Sequence, residues 1–229
     1  MSEPLPKSQL SLLTSRRFLP FFLTQFMGAF NDNVFKNALL VLIAFGTLPF
    51  PDKSGSVDSN IAINLAAGIF ILPFFIFSAT AGQIADKFDK ARIMRLIKFI
   101  EIMIMLIALL GFTSGNVWIL LIVLFLMGTH SAFFGPVKYA VLPQHLHADE
   151  LVGGNAWVGA GTFLAILLGT ITGGVLAGST HSHGVLPVVL IAIAVLGFGA
   201  SRFIPAAPSQ SHSVKLNWNP IVETWHVMK

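Results

Sequence analysis

The sequence predicts an all-α membrane protein that folds as a six-transmembrane-helix bundle. Hydrophobic residues make up 55% of the 229 residues and charged residues only 10%, a balance that excludes an ordinary soluble domain. Six apolar stretches are each about as long as the roughly 20 residues that a helix needs to cross a bilayer. We predict these spans at residues 18–45, 61–83, 93–112, 117–139, 153–178 and 185–203.

The positions of the basic residues predict how this bundle is oriented. Of the 14 Lys and Arg residues, twelve lie in or beside segments that face one side of the membrane, Lys53 alone falls on the other side, and Lys36 lies inside a span. An excess of Lys and Arg marks the cytoplasmic side. We therefore predict a cytoplasmic tail at 1–17, a six-span unit at 18–203 and a cytoplasmic linker at 204–229, with both termini in the cytoplasm.

The first span contains the residues that are least expected inside a membrane: Asn31, Asp32, Asn33, Lys36 and Asn37. An ionisable side chain at the bilayer centre costs roughly 2.5–3.5 kcal/mol on insertion scales, so it must face protein or a water-filled cavity. Three amides beside an acid are more polarity than helix packing needs. A pathway for a substrate or an ion is our leading hypothesis for this segment.

Helical spacing places several of these groups on one stripe of the first span. Gln25, Gly28 or Ala29, Asp32 and Lys36 recur at intervals of three or four residues, which is the spacing of one helix face. Asp32 precedes Lys36 by four residues, the favourable order for an ion pair within a helix. The stripe therefore has two interpretations: a pair that neutralises itself and fixes packing, or a binding surface.

Two further spans carry ionisable residues at membrane depth. Glu101 in the third span is either a ligand for a headgroup or ion, or a partner of Lys98 three residues earlier or of a neighbouring helix. His130 in the fourth span is either functional or a satisfied packing residue, and a histidine can exchange a proton near neutral pH. Lys138 lies at the inner end of the fourth span, where we expect it to reach lipid phosphates.

Small residues in the fifth span predict close helix packing. Gly169-x-x-x-Gly173 and Gly174-x-x-x-Gly178 would each let the backbone of another helix approach.

No catalytic or metal-binding pattern is visible in the sequence. The chain has no cysteine, which excludes disulfides and thiolate metal sites. We interpret His145, His147, Asp149 and Glu150 as a solvated loop, because no second ligand cluster accompanies them. The sequence has no glycine-rich phosphate loop, Gly-x-Ser-x-Gly elbow or His-x4-Asp acyltransferase pattern. We expect that the chain is not an enzyme and binds no metal or nucleic acid.

The connection between the second and third spans resembles the loop signature of the major facilitator superfamily. That signature has a glycine, an aspartate four residues later and then a basic cluster. The matching residues are Gly82, Asp86, Lys87, Lys90 and Arg92. In the family, the loop aspartate and basic residues form a charge relay that stabilises the outward-facing state, which the resemblance implies for this loop. The sequence departs from the family pattern at Asp89, where glycine is usual.

Three longer segments are similar to the lysophospholipid transporter family, in particular to the transporter portion that is fused to an acyltransferase and an acyl-ACP synthetase. They read QFMGAFNDNVFKNALL, GPVKYAVLPQHL and ELVGGNAWVGAGTFLAILLGTITGG, and the tail segment NWNPIVETW agrees as well. The resemblance implies the N-terminal half of a major facilitator superfamily fold. It also implies movement of lysophospholipids from the outer to the inner leaflet of the bacterial inner membrane, where they are reacylated.

The resemblance also suggests roles for the polar residues of the first span. Asp32 would engage an ammonium group or a coupling cation, Na+ or H+. Asn31, Asn33 and Gln25 would donate or accept hydrogen bonds with the headgroup. Lys36 would attract the phosphate or pair with Asp32.

Two other functions remain open at this point. The chain could belong to a transporter of another small molecule, such as a drug or sugar exporter, or it could be a non-transporting membrane module that recruits an acyltransferase. In either case we expect a truncated or split chain that ends in the central cytoplasmic linker and requires a second six-span half.

Overall fold

A computed structural model describes residues 9–48, 59–179 and 182–209. Predictions that concern Lys7, the outer loop with Lys53, His181 and the tail after Ser209 lie outside these ranges. The described chain contains six long helices and no strand, which confirms the predicted all-α class. The helices are α1 (Leu19–Ala44), α2 (Ser59–Lys87), α3 (Lys90–Ser114), α4 (Val117–His145), α5 (Leu151–Ala177) and α6 (Ser182–Ser201).

Four of the described helices are long and apolar enough to cross a membrane. They comprise Ile61–Lys87, Val117–His145, Ala148–Ala177 and Gly184–Ser201. Large apolar side chains also point outward, among them Phe75 and Phe163, which are 73% and 75% exposed. A soluble monomer rarely exposes so much contiguous apolar surface, whereas lipid covers it in a membrane. α1 and α3 are of similar length, 26 and 25 residues, and carry most of the buried polar residues of the described chain.

Residues in the turn between α3 and α4 set the end of α3 and the start of α4. α3 ends at Gly115, whose φ of 62° places it in the left-handed region that glycine adopts without strain. The side chain of Asn116 then caps α4 by accepting hydrogen bonds from the backbone N–H groups of Trp118 and Ile119, at 3.0 and 3.3 Å. The short connection between the predicted third and fourth spans is therefore a helix stop followed directly by a helix start.

α4 extends further than the sequence predicted. The predicted span ended at Tyr139, but the helix, which contains Pro136, continues through Pro143 to His145. Proline interrupts helices less in tightly packed bundles, because neighbouring groups satisfy the backbone carbonyls that it frees. His145 therefore closes the helix and is not part of the solvated loop.

The packing order places α1 and α4 at the centre of the bundle. α1 packs mainly against α5 and α6, α4 packs mainly against α2 and α3, and α3 also packs against α6. α1 and α4 touch each other over a much smaller area. The space between these two helices is bordered by α2 and α3.

Glycines on α5 let its backbone pack against α1, as predicted for the Gly169-x-x-x-Gly173 motif. A methyl group at Gly173 would lie 2.5 Å from the carbonyl oxygen of Val34, and one at Gly169 would lie 2.8 Å from the carbonyl oxygen of Phe30. The second motif does not behave in this way, since Gly174 faces open space and Gly178 meets only its own helix. The face of α5 with Gly169 and Gly173 therefore packs against α1, whereas the face with Gly174 does not.

We predict that Gly173→Ala destabilises the protein, whereas Gly174→Ala does not. Both substitutions gain similar helix propensity, but only the first forces a methyl group into the backbone of α1, and overpacking of this kind typically costs about 1–3 kcal/mol. Thermal unfolding of the full-length protein in detergent measures the difference. Equal stability of the two variants would contradict the close α1–α5 contact.

Candidate functional site

A cavity of about 200 Å³ lies between α1 and α4. The predicted stripe on α1 forms one wall, and α2, α3 and α4 form the others. Its lining residues are Gln25, Gly28, Ala29, Asp32, Phe74, Lys98, His130, Ser131, Phe134, Gly135 and Lys138. The cavity therefore brings one carboxylate, two lysines and one histidine together inside an apolar bundle.

Asp32 is the acidic residue of this cavity. The hydroxyl of Ser131 on α4 donates a hydrogen bond to Asp32 Oδ2. Asp32 Oδ1 is buried and has no hydrogen-bond partner within the described part of the chain. A buried carboxylate oxygen without a donor is costly, and it is the atom that a cationic ligand would satisfy. The geometry thus suits an ammonium group or a small cation at Asp32.

Lys36 does not join this cavity, so the predicted ion pair with Asp32 is wrong. The Lys36 ammonium lies 5.3 Å from the centre of the Phe70 ring on α2, a distance typical of a cation–π contact. The aromatic ring offers Lys36 a partner outside its own helix. Only Gln25, Gly28, Ala29 and Asp32 of the predicted stripe line the cavity.

Asn33 and Gln25 face α5. Asn33 Nδ2 donates to the carbonyl oxygen of Ala29 at 2.7 Å, and its Cβ lies against Gly169. Gln25 Oε1 accepts a hydrogen bond from Thr162 at 3.2 Å, while Gln25 Nε2 is buried without a partner among the described residues. Of these two predicted headgroup ligands, only Gln25 reaches the cavity.

Behind the cavity, three polar residues from three helices meet at Glu101. Asn31 Nδ2 donates to Glu101 Oε1 at 2.8 Å. The ammonium of Lys98 contacts Glu101 Oε2, and His130 Nε2 lies 3.1 Å from the same oxygen. The side chains of Lys98 and Glu101 are 0% exposed. The alternative prediction, in which Glu101 pairs with Lys98, is confirmed as a contact, and the role of Glu101 as a substrate ligand stays a prediction.

Lys98 is held between two glycines of different helices. Methyl groups at Gly28 of α1 and Gly197 of α6 would lie 3.3 and 2.9 Å from its ammonium nitrogen. Any larger side chain at these two positions would compete with the lysine for space. Lys98 therefore fills the junction of α1, α3 and α6, and its ammonium group faces the cavity on one side and Glu101 on the other.

A second, wider and almost entirely apolar groove of about 770 Å³ runs along α3. α2 and α4 form its other sides, with residues such as Phe88, Leu126 and Phe133. His130 lines both this groove and the polar cavity. The imidazole ring thus separates a polar compartment from an apolar one.

The predicted loop signature lies at the junction of α2 and α3. Asp86 and Arg92 are exposed, Gly82 and Lys87 are half-buried, and Lys90 is buried. Within the described chain no ion pair joins Asp86 to these basic residues, so the charge relay stays a prediction. Asp89, the departure from the family pattern, caps α3 by accepting a hydrogen bond from the Arg92 backbone N–H at 2.8 Å. Its φ of −61° requires no glycine.

The segment after α6 folds back over this junction. Ala207 accepts a hydrogen bond from the Lys90 backbone N–H at 2.9 Å, and Ser209 donates to the Asp86 carbonyl oxygen at 3.0 Å. Arg95 donates to the carbonyl oxygens of Ser201 and Ile204, at 3.3 and 2.7 Å. The beginning of the predicted linker is thus part of the packed structure.

At the same end of the bundle, Arg17 connects the start of the chain to the α4–α5 turn. Its guanidinium is 2.5 Å from Glu150 Oε1, and Glu150 Oε2 accepts a hydrogen bond from the His147 backbone N–H at 3.0 Å. Glu150 is buried. We interpreted these residues as solvated polarity, but Glu150 has a structural role in the turn.

Sequence analysis assigned no role to four cavity residues and underestimated two others. The four are Phe74, Ser131, Phe134 and Gly135. Lys98 was considered only as a partner of Glu101, and Lys138 was assigned to interfacial phosphates. Ser131, Gly135 and Lys138 are spaced by four and three residues, which places them on one face of α4. This spacing was visible in the sequence and could have identified the wall opposite Asp32.

We predict that Asp89→Ala lowers the stability of the protein by about 1 kcal/mol, because it removes the N-cap of α3, while Asp89→Gly costs only a few tenths. Asp89→Asn retains an acceptor oxygen and should behave like the wild type. Thermal unfolding in detergent ranks the three variants. A loss for Asn equal to that for Ala would show that the Asp89 charge, and not its cap, matters.

Comparison with known families gives a match over nearly the whole chain. Residues 10–229 match the Major Facilitator Superfamily. Among curated proteins, the chain is similar to lysophospholipid transporter LplT of Serratia proteamaculans, with 31% identity over 222 residues. This alignment covers 96% of the chain and 50% of that protein.

Two further relatives carry the same name. LplT of Pectobacterium carotovorum is 32% identical over 213 residues, which are 91% of the chain and 46% of the relative. LplT of Salmonella typhimurium is 32% identical over 208 residues, which are 86% of the chain and 46% of the relative. The chain thus spans about half the length of the curated relatives it matches. The resemblance found in the sequence is confirmed.

Proposed function

The chain belongs to the Major Facilitator Superfamily, and from this premise we propose that it forms the N-terminal half of a lysophospholipid transporter. The transporter would move its substrate from the outer to the inner leaflet of a bacterial inner membrane, where an acyltransferase restores the second acyl chain. The names of the relatives support the substrate class. The geometry of the site supports it independently.

The observation that carries this proposal is the meeting of two unlike compartments at His130. The cavity on one side contains Asp32, Lys98 and Lys138, and the groove on the other side is apolar. A sugar or another polar solute needs only the first. A lysophospholipid has one charged headgroup and one acyl chain, so it matches both.

Within the cavity we assign complementary charges to the two ends of a phosphoethanolamine headgroup. The free oxygen of Asp32 would accept the ammonium group, or a coupling Na+ or H+ in its place. Lys138 would attract the phosphate, because its side chain lines the cavity whereas that of Lys36 lies over Phe70. Gln25 and Ser131 would complete the hydrogen bonding.

We further propose that six additional spans complete the transporter. Major facilitator transporters place their substrate between two six-span halves, and the matched relatives are about twice as long as this chain. The second half would come from the same longer protein or from a partner, and an acyltransferase could be fused to it. In this arrangement all six helices of the chain cross the membrane, and both termini lie in the cytoplasm.

We predict that Asp32→Asn reduces lysophospholipid uptake at least about tenfold, because a hydrogen bond to a charged group is worth about 1.5–3 kcal/mol. Uptake of labelled lysophosphatidylethanolamine by spheroplasts that contain the full-length protein measures the change. Asp149→Asn is the matched control, since Asp149 is exposed in the short helix before α5 and should leave uptake unaltered.

Three results would overturn this proposal. Normal uptake by the Asp32→Asn variant would show that the cavity does not carry the substrate. No uptake by the wild-type protein, together with export of a soluble compound, would identify a superfamily transporter of another kind. If phospholipid remodelling continues without any transport, the chain is a membrane module of an acyltransferase.

A further inference from the structure

We propose that Glu101 is a positioning residue for Asp32, and that it acts through Asn31. Glu101 lies behind the cavity and does not line it. Its carboxylate nevertheless connects α3 to α1 and α4, because Asn31 Nδ2 donates to Oε1 and His130 Nε2 approaches Oε2. The proposal rests on the proposed function only where transport is measured.

The turn of α1 that carries Asp32 is held from two directions. Neighbouring side chains on a helix point about 100° apart, so Asn31 reaches Glu101 on α3 while Asp32 reaches Ser131 on α4. Asn31 is 0% exposed. If its bond to Glu101 is lost, the hydrogen bond from the Ser131 hydroxyl is the only side-chain hydrogen bond among the described residues that still joins this turn to another helix, and that hydroxyl can rotate.

The buried charge of Lys98 restricts which variants can test the positioning role of Glu101. The lysine is sealed between Gly28 and Gly197, and Glu101 is its only ion-pair partner in the described structure. Removing Glu101 alone would leave a buried unpaired charge, which is strongly destabilising for reasons unrelated to Asp32. A useful variant must therefore remove both charges together.

Two double variants of the full-length protein isolate the hydrogen bond. Lys98→Met with Glu101→Gln and Lys98→Met with Glu101→Met are both neutral and similar in volume. Only the glutamine retains an acceptor oxygen for Asn31. We call the variant with Glu101→Gln the glutamine pair and the variant with Glu101→Met the methionine pair. At low substrate concentration we expect the glutamine pair to take up labelled lysophosphatidylethanolamine about tenfold faster than the methionine pair. The methionine pair leaves one buried polar group, the Asn31 amide, without its acceptor. The half-saturating concentration should rise in the methionine pair.

A readout that does not depend on transport tests the position of the α1 face directly. The chain has no cysteine, and Ala29 lines the cavity on the same stripe as Asp32. In full-length protein otherwise free of cysteine, we would place Ala29→Cys in each double variant and measure its reaction rate with a small thiol reagent. We expect the wild-type rate in the glutamine pair and a rate changed several-fold in the methionine pair.

Asn31→Ala provides the matching control. It should change the thiol rate in the glutamine pair and have no further effect in the methionine pair, because the bond is already absent there. Equal thiol rates in the two pairs would overturn the positioning role, whatever the transport result. Different thiol rates with no lysophospholipid uptake by the wild type would support the positioning role and refute the proposed function.

Discussion

The buried ion pair between Lys98 and Glu101 is the constraint on which the site depends. Both side chains are closed to solvent, and such a pair repays its desolvation only when the remaining hydrogen-bonding groups are satisfied. Asn31 donates a hydrogen bond to Glu101 from α1, and His130 of α4 approaches the same carboxylate to 3.1 Å, while glycines on α1 and α6 leave room for the lysine. One charged pair thereby specifies the relative placement of four helices.

This constraint explains which parts of the molecule could be predicted from the sequence. Apolar stretches and turn residues are local properties, so the six helices and the turn at Gly115 were predictable. The stripe of Gln25, Gly28, Ala29 and Asp32 follows from helical spacing alone and was confirmed. Which side chains meet across two helices depends on how each helix is rotated about its own axis. The spacing of residues along one helix does not give that rotation. Lys36 was therefore paired with Asp32, although the structure turns it toward Phe70.

Sequence patterns alone also could not predict the loop between α2 and α3 or the end of α4. A family pattern indicated glycine at position 89, but the physical requirement there is a cap for α3, and an aspartate at an ordinary φ meets it. The end of α4 was predicted too early, at Tyr139, although the helix continues through Pro143 to His145. Whether a proline ends a helix depends on the neighbours that satisfy its backbone, and only the packed bundle reveals them.

The contacts that α1 makes with α5 and with α4 are of opposite kinds, and this difference affects how α1 responds when a ligand binds. Against α5 it is packed backbone to backbone through Gly169 and Gly173, an interface with no room for adjustment. Against α4 it touches little, and within the described residues one side-chain hydrogen bond, from Ser131 to Asp32, joins the two helices. A cation bound at the free Oδ1 of Asp32 leaves both the Ser131 bond to Oδ2 and the α5 interface in place. We therefore expect α1 to remain fixed to α5 when a ligand binds, with Glu101 holding the Asp32 turn through Asn31.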